Sequence, residues 1–171
     1  EANGGAITID SASGSVVINS SLVAIGGTDS GTDGGHSGGA VTIVIASGSG
    51  VITFGAGADI TTTGSDGGRG NNAGGAGGLV TLITATQAIT LNDTAIDTSA
   101  GDASGSGADA AGGAVTLSDA VTLANGTVTI TTGATAGNIL FSSTVNGARA
   151  LTLTAGTGNI TFSGIVGASA P

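Results

Sequence analysis

The sequence lacks several residue types that whole classes of protein require. It contains no cysteine, methionine, tryptophan or tyrosine, and it has three phenylalanines and a single proline. Without cysteine there is neither a disulfide framework nor a thiolate metal site. No apolar run approaches the roughly 18 residues of a transmembrane helix, so we expect no membrane insertion.

Cationic side chains are almost as scarce. Two Lys or Arg residues stand against eleven acids, which gives a formal net charge of −9 at pH 7. A nucleic-acid partner is excluded, because neutralising phosphates requires clustered Lys and Arg. The same shortage disfavours binding to anionic membrane surfaces.

Small residues and internal repeats dominate what is present. Glycine, alanine, threonine and serine account for almost two thirds of the chain, and glycine does not follow the third-residue period of collagen. The hexapeptide Gly-Gly-Ala-Ile-Thr-Ile at residues 4–9 recurs with conservative changes at 38–43, 77–82 and 112–117. Such repeats indicate an architecture built from stacked units.

A second repeated hexapeptide occupies the C-terminal part. Gly-Asn-Ile-Leu-Phe-Ser at 137–142 recurs 21 residues later as Gly-Asn-Ile-Thr-Phe-Ser at 158–163. Equivalent side chains of stacked units lie above one another. The 21-residue spacing of this hexapeptide therefore predicts two ladders, Phe141 over Phe162 and Asn138 over Asn159.

Within the repeats, β-branched residues alternate with threonine or with small residues. This period of two is typical of half-buried strands. Helix is disfavoured, because glycine is spread through the chain and no apolar stripe has a period of 3.6 residues. The second and third repeats are therefore predicted to contain the strands Ala40–Ile45, Val51–Phe54, Asp59–Thr63, Leu79–Thr84, Ala88–Leu91 and Ala95–Thr98.

Three strands per repeat, each stacked on its equivalent in the next, predict an all-β parallel solenoid. A β-sandwich is the alternative, but its strands do not normally share one repeated sequence. We expect a single domain over residues 1–171, with about six coils that begin near residues 4, 38, 77, 112, 137 and 158. Loops rich in Gly, Asp and Ser are expected at one corner of the first coils, at Gly26–Gly38, Gly64–Gly77 and Gly101–Gly112.

These repeats resemble those of a known group of proteins. Gly-Gly-Ala-Val-Thr-Leu at 112–117, Gly-Asn-Ile-x-Phe-Ser and Leu-Thr-Leu-Thr-Ala-Gly at 151–156 are similar to the repeat tracts of filamentous-haemagglutinin-like bacterial adhesins and related autotransporter passenger regions. The resemblance covers almost the whole chain. It implies a right-handed parallel β-helix, secreted by a bacterium and extended from the cell surface. The family's secretion-signal cap is not recognisable here, and its repeat tracts share no binding residues that could be transferred.

The leading functional prediction is a non-catalytic structural rod of an extracellular adhesin or surface filament. Its partners would be a second copy of the chain, the remainder of a longer surface protein, or host and environmental surfaces. The first residue is Glu1 rather than methionine. We therefore expect a processed product or a piece of something longer.

Acidic residues in the loops suggest a calcium hypothesis. Calcium takes six to eight oxygen ligands, and loop carboxylates could supply several of them. The regular Gly-Gly-x-Gly-x-Asp nonapeptide of calcium-binding β-helices is absent, however. We expect solvated loop acids and no cofactor, with calcium as the alternative at Asp29, Asp33, Asp66, Asp102 and Asp109.

Catalysis and ice binding are two further functional hypotheses. A glycosidase needs paired carboxylates and a lyase needs a base, whereas His36 and Arg69 lie in glycine-rich loops and Arg149 stands alone, so we expect no enzyme.

Rows of threonine on a flat β-face can order water. The candidate rows are Thr61-Thr62-Thr63, Thr127-Val128-Thr129 and Thr152-Leu153-Thr154, which do not occupy one equivalent position throughout the repeats.

Both ends of the predicted solenoid are open strand edges. Neither end shows a helix or a charged cap, and open edges pair with other strands unless something covers them. The strands nearest to the edges are Gly4–Ile9 and Asn159–Phe162. We expect end-to-end oligomers, and we expect Thr161→Pro to shorten them by removing a ladder donor.

Overall fold

The computed structural model describes residues 2–28 and 31–167 of the chain. In these residues there are sixteen short β-strands in three parallel sheets, here called A, B and C. Sheet A contains β1 (Ile7–Ser11), β4 (Val41–Ile45), β7 (Val80–Ile83), β10 (Val115–Leu117), β13 (Ile139–Phe141) and β16 (Ile160–Phe162). Sheet B contains β2 (Val16–Ile18), β5 (Ile52–Phe54), β8 (Ile89–Asn92), β11 (Val121–Asn125) and β14 (Val145–Asn146). Sheet C contains β3 (Leu22–Val23), β6 (Ile60–Thr61), β9 (Ala95–Asp97), β12 (Val128–Thr131) and β15 (Leu151–Thr154).

Consecutive strands pass from sheet A to sheet B to sheet C and then return to sheet A. Each such circuit is a turn of the solenoid, so β1–β3 form turn 1 and β13–β15 form turn 5, and β16 begins the next circuit. This confirms the predicted all-β parallel solenoid. The strands predicted for the second and third repeats are present as β4 to β9, with ends that differ by at most two residues. The right-handed sense of winding stays a prediction.

The core consists of columns of apolar side chains that point inward from the three sheets. In β4, Val41, Ile43 and Ile45 are buried while the alternate residues are half-buried, as a period of two requires. Ile43 pairs with Leu82, Leu82 with Leu117, and Leu117 with Phe141. All four side chains of this column are completely buried. The turns are therefore held together both by backbone ladders and by a continuous apolar interior.

Both predicted ladders are present near the C-terminal end. The rings of Phe141 and Phe162 stack with centroids 4.9 Å apart and planes inclined by 9°. The backbone N–H of Asn159 donates to Oδ1 of Asn138 at 2.8 Å. The 21-residue repeat therefore corresponds to one stacked turn that carries no side loop.

A buried threonine closes the corner between sheets C and A. The hydroxyl of Thr62 donates to the carbonyl of Gly78 at 2.8 Å, and that of Thr98 donates to the carbonyl of Gly113 at 2.6 Å. Thr132 makes the same bond to the carbonyl of Gly137 at 2.8 Å, although only four residues separate the two. This shared closure explains how repeats of unequal length occupy equivalent turns, because an inserted loop leaves the corner unchanged.

The three inserted loops lie at this corner and pack on one another. The N–H of Gly38 donates to the carbonyl of Ala76, and the N–H of Gly77 donates to that of Ala111, at 2.8 and 3.0 Å. Gly101 bridges loops as well, since its N–H donates to the carbonyl of Gly75 at 2.9 Å. The loops are thus additional layers that follow the stacking of the turns.

Candidate functional site: the two open ends

The described candidates for calcium ligands use oxygens of their side chains or backbone to accept backbone N–H groups. Oδ1 of Asp66 accepts the N–H of Asp102 at 2.9 Å, and Oδ1 of Asp109 accepts the N–H of Ala103 at 2.9 Å. The backbone carbonyl of Asp33 accepts the N–H of Gly68 at 2.9 Å, and Asp29 lies outside the described residues. Residues 2–28 and 31–167 contain no group of three or more His, Asp or Glu side chains that could hold a metal ion.

Two of the basic residues weighed for catalysis, His36 and Arg69, lie in the loops at the corner between sheets C and A, and the third, Arg149, lies at the corner between sheets B and C. His36 is part of the first loop, where its N–H donates to Oγ of Ser65 at 2.8 Å and its carbonyl accepts the N–H of Ser65. Arg69 belongs to the second loop, and Arg149 lies between β14 and β15, where its Nε donates to the carbonyl of Ala124 at 3.3 Å. The backbone contacts of His36 join the first loop to the second.

The threonine rows that the sequence suggested lie mainly on the outer face of sheet C, and acids interrupt them. Thr131 pairs with Thr154 on one side and with Asp97 on the other. A more regular row lies on the outer face of sheet A, and each strand contributes one residue to it, threonine in all but β13, whereas the rows expected from the sequence were triplets of consecutive residues. In strand order, that column is Thr8, Thr42, Thr81, Thr116, Leu140 and Thr161.

The C-terminal end of the described residues presents apolar side chains and a strand edge that no described strand pairs with. Strand β16 pairs with β13 and lies at the edge of sheet A. Ile160 and Phe162 are 42% and 38% exposed, although their equivalents one turn earlier, Ile139 and Phe141, are completely buried. Val166 continues the same end by bridging to Val145 of sheet B. This end therefore has the composition of a core that has been cut across.

The backbone at this edge has a defined polarity. The N–H of Ile139 donates to the carbonyl of Asn159, and the N–H of Ser163 donates to that of Phe141. Residues of a parallel strand direct their N–H and C=O groups alternately to the two sides, so Thr161 also faces β13. The backbone N–H and C=O groups of Ile160 and Phe162 face away from β13, toward the unpaired edge. The expectation that Thr161→Pro removes a donor at the open edge is therefore wrong, because this N–H faces β13 within the chain. Ile160→Pro or Phe162→Pro would remove a donor at the open edge.

The N-terminal end presents the complementary edge. The N–H of Ile7 donates to the carbonyl of Ala40, and the carbonyl of Ser11 accepts the N–H of Ala46. By the same alternation, the backbone groups of Thr8 and Asp10 face away from β4. Between consecutive turns, residues of the earlier strand whose side chains point inward form backbone hydrogen bonds with residues of the later strand whose side chains point outward. The free backbone groups at the C-terminal edge belong to residues with inward side chains, and those at the N-terminal edge belong to residues with outward side chains. The two edges could therefore pair in the same way as two consecutive turns.

A column of glycines runs beside sheet A, and its first member is unexplained by the chain itself. A Cβ on Gly39 would lie well inside 3.0 Å of the carbonyl of Gly5, and the same holds for Gly78 against Gly39 and for Gly113 against Gly78. Each of these glycines is required by the preceding turn. Gly5 occupies the equivalent position in turn 1, yet a Cβ there would have no atom of residues 2–28 or 31–167 within 4 Å.

Comparison with known proteins adds no family to this description. No protein-family model matches the chain, and no curated protein or solved structure matches it significantly.

Proposed function

We propose that this chain is a non-catalytic structural rod of an extracellular bacterial adhesin or surface filament, in which β16 of one copy stacks on β1 of the next. The observation that carries the proposal is Gly5, because its equivalents in later turns are required by the preceding turn and a further turn beneath β1 would require this one in the same way. The extracellular placement and the adhesin class follow from the resemblance of the repeats. No cofactor takes part in this function.

The geometry of the junction repeats that of the turns inside the molecule. The N–H of Ile160 would donate to the carbonyl of Ala6 in the next copy, as that of Ile139 donates to Asn159 within one chain. Ile160 would cover Ile7, and Phe162 would cover Ile9, so the apolar columns would continue. A further turn of a longer chain would fit either edge in the same register.

Charge favours growth along the axis over contact at the loop corner. Five of the eleven acids lie in the side loops, while Ile160, Phe162 and Ile7 at the ends are apolar. Like charges repel within about a Debye length, roughly 8 Å at physiological ionic strength. The loops would therefore keep neighbouring rods apart at that corner while leaving the strand edges accessible.

The variant Gly5→Ala tests this stacking. We expect wild-type protein to form end-to-end oligomers whose mass rises with concentration in sedimentation and light scattering. Gly5→Ala should reduce the mass to that of a monomer, because the new Cβ would overlap the backbone of Gly158 in the neighbouring copy. Its unfolding should not be weakened, since the space around Gly5 is open within one chain.

The matched control is Gly34→Ala in the side loop, where the new Cβ would make an ordinary contact of 3.6 Å with the carbonyl of Ala73. This control should assemble like the wild type. A wild-type protein that stays monomeric at high concentration would contradict the proposal, and so would a Gly5→Ala variant that assembles normally.

A second candidate function is favoured by the threonine column of sheet A. Five of its six positions are threonine, and the adjacent outward column contains alanine, leucine and asparagine without a charge. Strands about 4.8 Å apart repeat the hydroxyl and methyl groups at a fixed interval. We propose that this row of threonines orders water and binds to ice, with Asp10 of β1 as a charged residue in the outward column on its other side.

Thermal hysteresis measures that second function. We expect hysteresis from the wild type and its loss in Thr81→Lys, because a long charged side chain would interrupt the centre of the column. The control is Thr90→Lys, at an equivalent outward and half-buried position on sheet B, which should keep the activity. Absence of hysteresis in the wild type would remove ice binding and leave the stacking proposal intact.

A further inference from the structure

The corner between sheets B and C carries asparagines at equivalent positions of successive turns. Asn125 at the end of β11 pairs with Asn92 at the end of β8. Asn19 directly follows β2. Because Ile18 pairs with Phe54, the residue of turn 2 that is equivalent to Asn19 is Gly55. The chain thus places asparagine at this corner in turns 1, 3 and 4.

All three asparagines begin an Asn-x-Ser/Thr sequence. These are Asn19-Ser20-Ser21, Asn92-Asp93-Thr94 and Asn125-Gly126-Thr127. Such a tripeptide, with any residue except proline in the middle, is the acceptor sequence for N-linked glycosylation when it lies in an accessible loop. The repeat therefore aligns three acceptor sequences along one edge of the rod.

The structure distinguishes these three sequences by accessibility. Residues 19–21 are exposed, and so are residues 125–127. In contrast, Asn92 is half-buried, and its Nδ2 donates to the carbonyl of Phe54 at 2.6 Å. Thr94 is 1% exposed, and its hydroxyl donates to the carbonyl of Asn92 at 3.2 Å. The middle sequence is thus closed at both of the residues that an enzyme must reach.

We propose that Asn19 and Asn125 are acceptor sites for N-glycosylation in the folded protein, and that Asn92 is not. In the transfer, Nδ2 of the asparagine forms a bond to C1 of a sugar activated as a pyrophosphate ester. The bond between C1 and the phosphate oxygen breaks, the pyrophosphate leaves with the electron pair, and the amide gives up one proton. No oxidant or reductant is required.

A fourth acceptor sequence supplies an internal comparison. Asn159-Ile160-Thr161 overlaps β16, where the N–H of Asn159 donates to Asn138 and the strand is paired with β13. Ile160 and Thr161 lie inside a paired strand and cannot adopt the bent loop conformation of an acceptor, whereas Gly126 and Thr127 follow the end of β11. We expect this fourth sequence to remain unmodified in the folded protein, although its residues are exposed.

Sugars at Asn19 and Asn125 would not obstruct the pairing of β16 with β1 in sheet A. Both asparagines lie at the corner between sheets B and C, whereas β1 and β16 belong to sheet A. The outer face of sheet A would also remain uncovered. The inference rests on the proposed extracellular function only in that such proteins meet glycosylating enzymes.

The experiment treats folded, unmodified protein with a sequon-specific N-glycosyltransferase and a nucleotide-activated hexose, followed by intact mass and peptide mapping. A second arm uses a membrane-bound transferase with a lipid-linked oligosaccharide, which separates the two donor sources. We expect modification at Asn19 and Asn125 alone. In protein unfolded with urea, added at a concentration the enzyme tolerates, we expect Asn92 and Asn159 to be modified as well.

Matched variants separate acceptor chemistry from changes in fold. Ser21→Ala and Thr127→Ala should each abolish one modification while leaving the asparagine in place, and Ser20→Ala should have no effect. Lack of modification at both Asn19 and Asn125, or equal modification of Asn92 in the folded protein, would overturn the inference. These masses are read from single chains, so this result is independent of whether the rods assemble.

Discussion

Replacing Leu82 with alanine should lower the free energy of unfolding by about 2–5 kcal/mol. Leu82 is completely buried in the third turn, between Ile43 and Leu117 in the neighbouring turns. Removing its branched end would leave a cavity that three stacked strands cannot close without breaking their ladder bonds. Denaturant unfolding followed by far-ultraviolet circular dichroism measures the loss.

The adjacent residue provides the control for this prediction. Thr81 lies in the same strand but points outward and is only half-buried. Thr81→Ala should change the free energy of unfolding by less than about 0.5 kcal/mol. Equal effects of the two substitutions would show that the inward and outward sides of β7 have been assigned wrongly.

Gly113→Ala should be almost as destructive, with an expected loss of about 3 kcal/mol. A Cβ at this position would overlap the backbone carbonyl of Gly78. Backbone atoms cannot rotate away as a flexible side chain can, so the strain would separate the third turn from the fourth. The loss should appear as a lower denaturant midpoint in the same unfolding experiment.

Gly5→Ala is the matched comparison, because Gly5 and Gly113 occupy the same place in the repeat. No atom of the described part of the chain approaches a Cβ at Gly5, and alanine reduces the conformational freedom of the unfolded chain. Measured at a concentration where the protein is monomeric, the substitution should raise stability by about 0.4–1 kcal/mol. A loss similar to that of Gly113→Ala would mean that the glycine column has another cause.

The sequence was sufficient to predict the architecture because the repeats record it directly. The recurring Gly-Gly hexapeptides mark the entry into sheet A, and alternation of apolar residues with threonine gives the inward and outward sides. The Phe141–Phe162 stack followed from the 21-residue spacing alone. These features are local in sequence or strictly periodic, which is why pattern reasoning detects them.

Features that depend on contacts between distant residues could not be predicted. The bond from Thr62 to Gly78 spans a loop whose length varies between repeats, so no fixed spacing identifies it. Whether the N–H of Thr161 points toward β13 or toward the open edge depends on the hydrogen-bonding register of β16 with β13, which the sequence does not specify. The alignment of Asn92 with Asn125 requires the register, which includes an irregularity between Leu123 and Asn125.

The loop acids illustrate the difference between what composition suggests, which is calcium ligation, and what the structure shows, which is hydrogen bonding to the backbone. Asp66, Asp102 and Asp109 share a glycine-rich loop region, which is a reasonable setting for calcium ligands. In the folded chain, Oδ1 of Asp66 and Oδ1 of Asp109 each accept a backbone N–H group of a loop. Their contribution is to order these layers, because a loop rich in glycine has few side chains with which to do so.

Disulfide trapping across the junction tests the stacking of copies most directly. The chain has no cysteine, and Thr8 and Thr161 are exposed members of one outward column, so stacking would place Thr161 of one copy beside Thr8 of the next. Neighbouring strands lie about 4.8 Å apart, within the Cα separation of about 4.4–6.8 Å that a disulfide spans. Under mild oxidation, the double variant Thr8→Cys/Thr161→Cys should give a ladder of covalent oligomers on a non-reducing gel, and each single variant should give nothing larger than a dimer. A double variant that yields no species beyond a dimer would contradict the account.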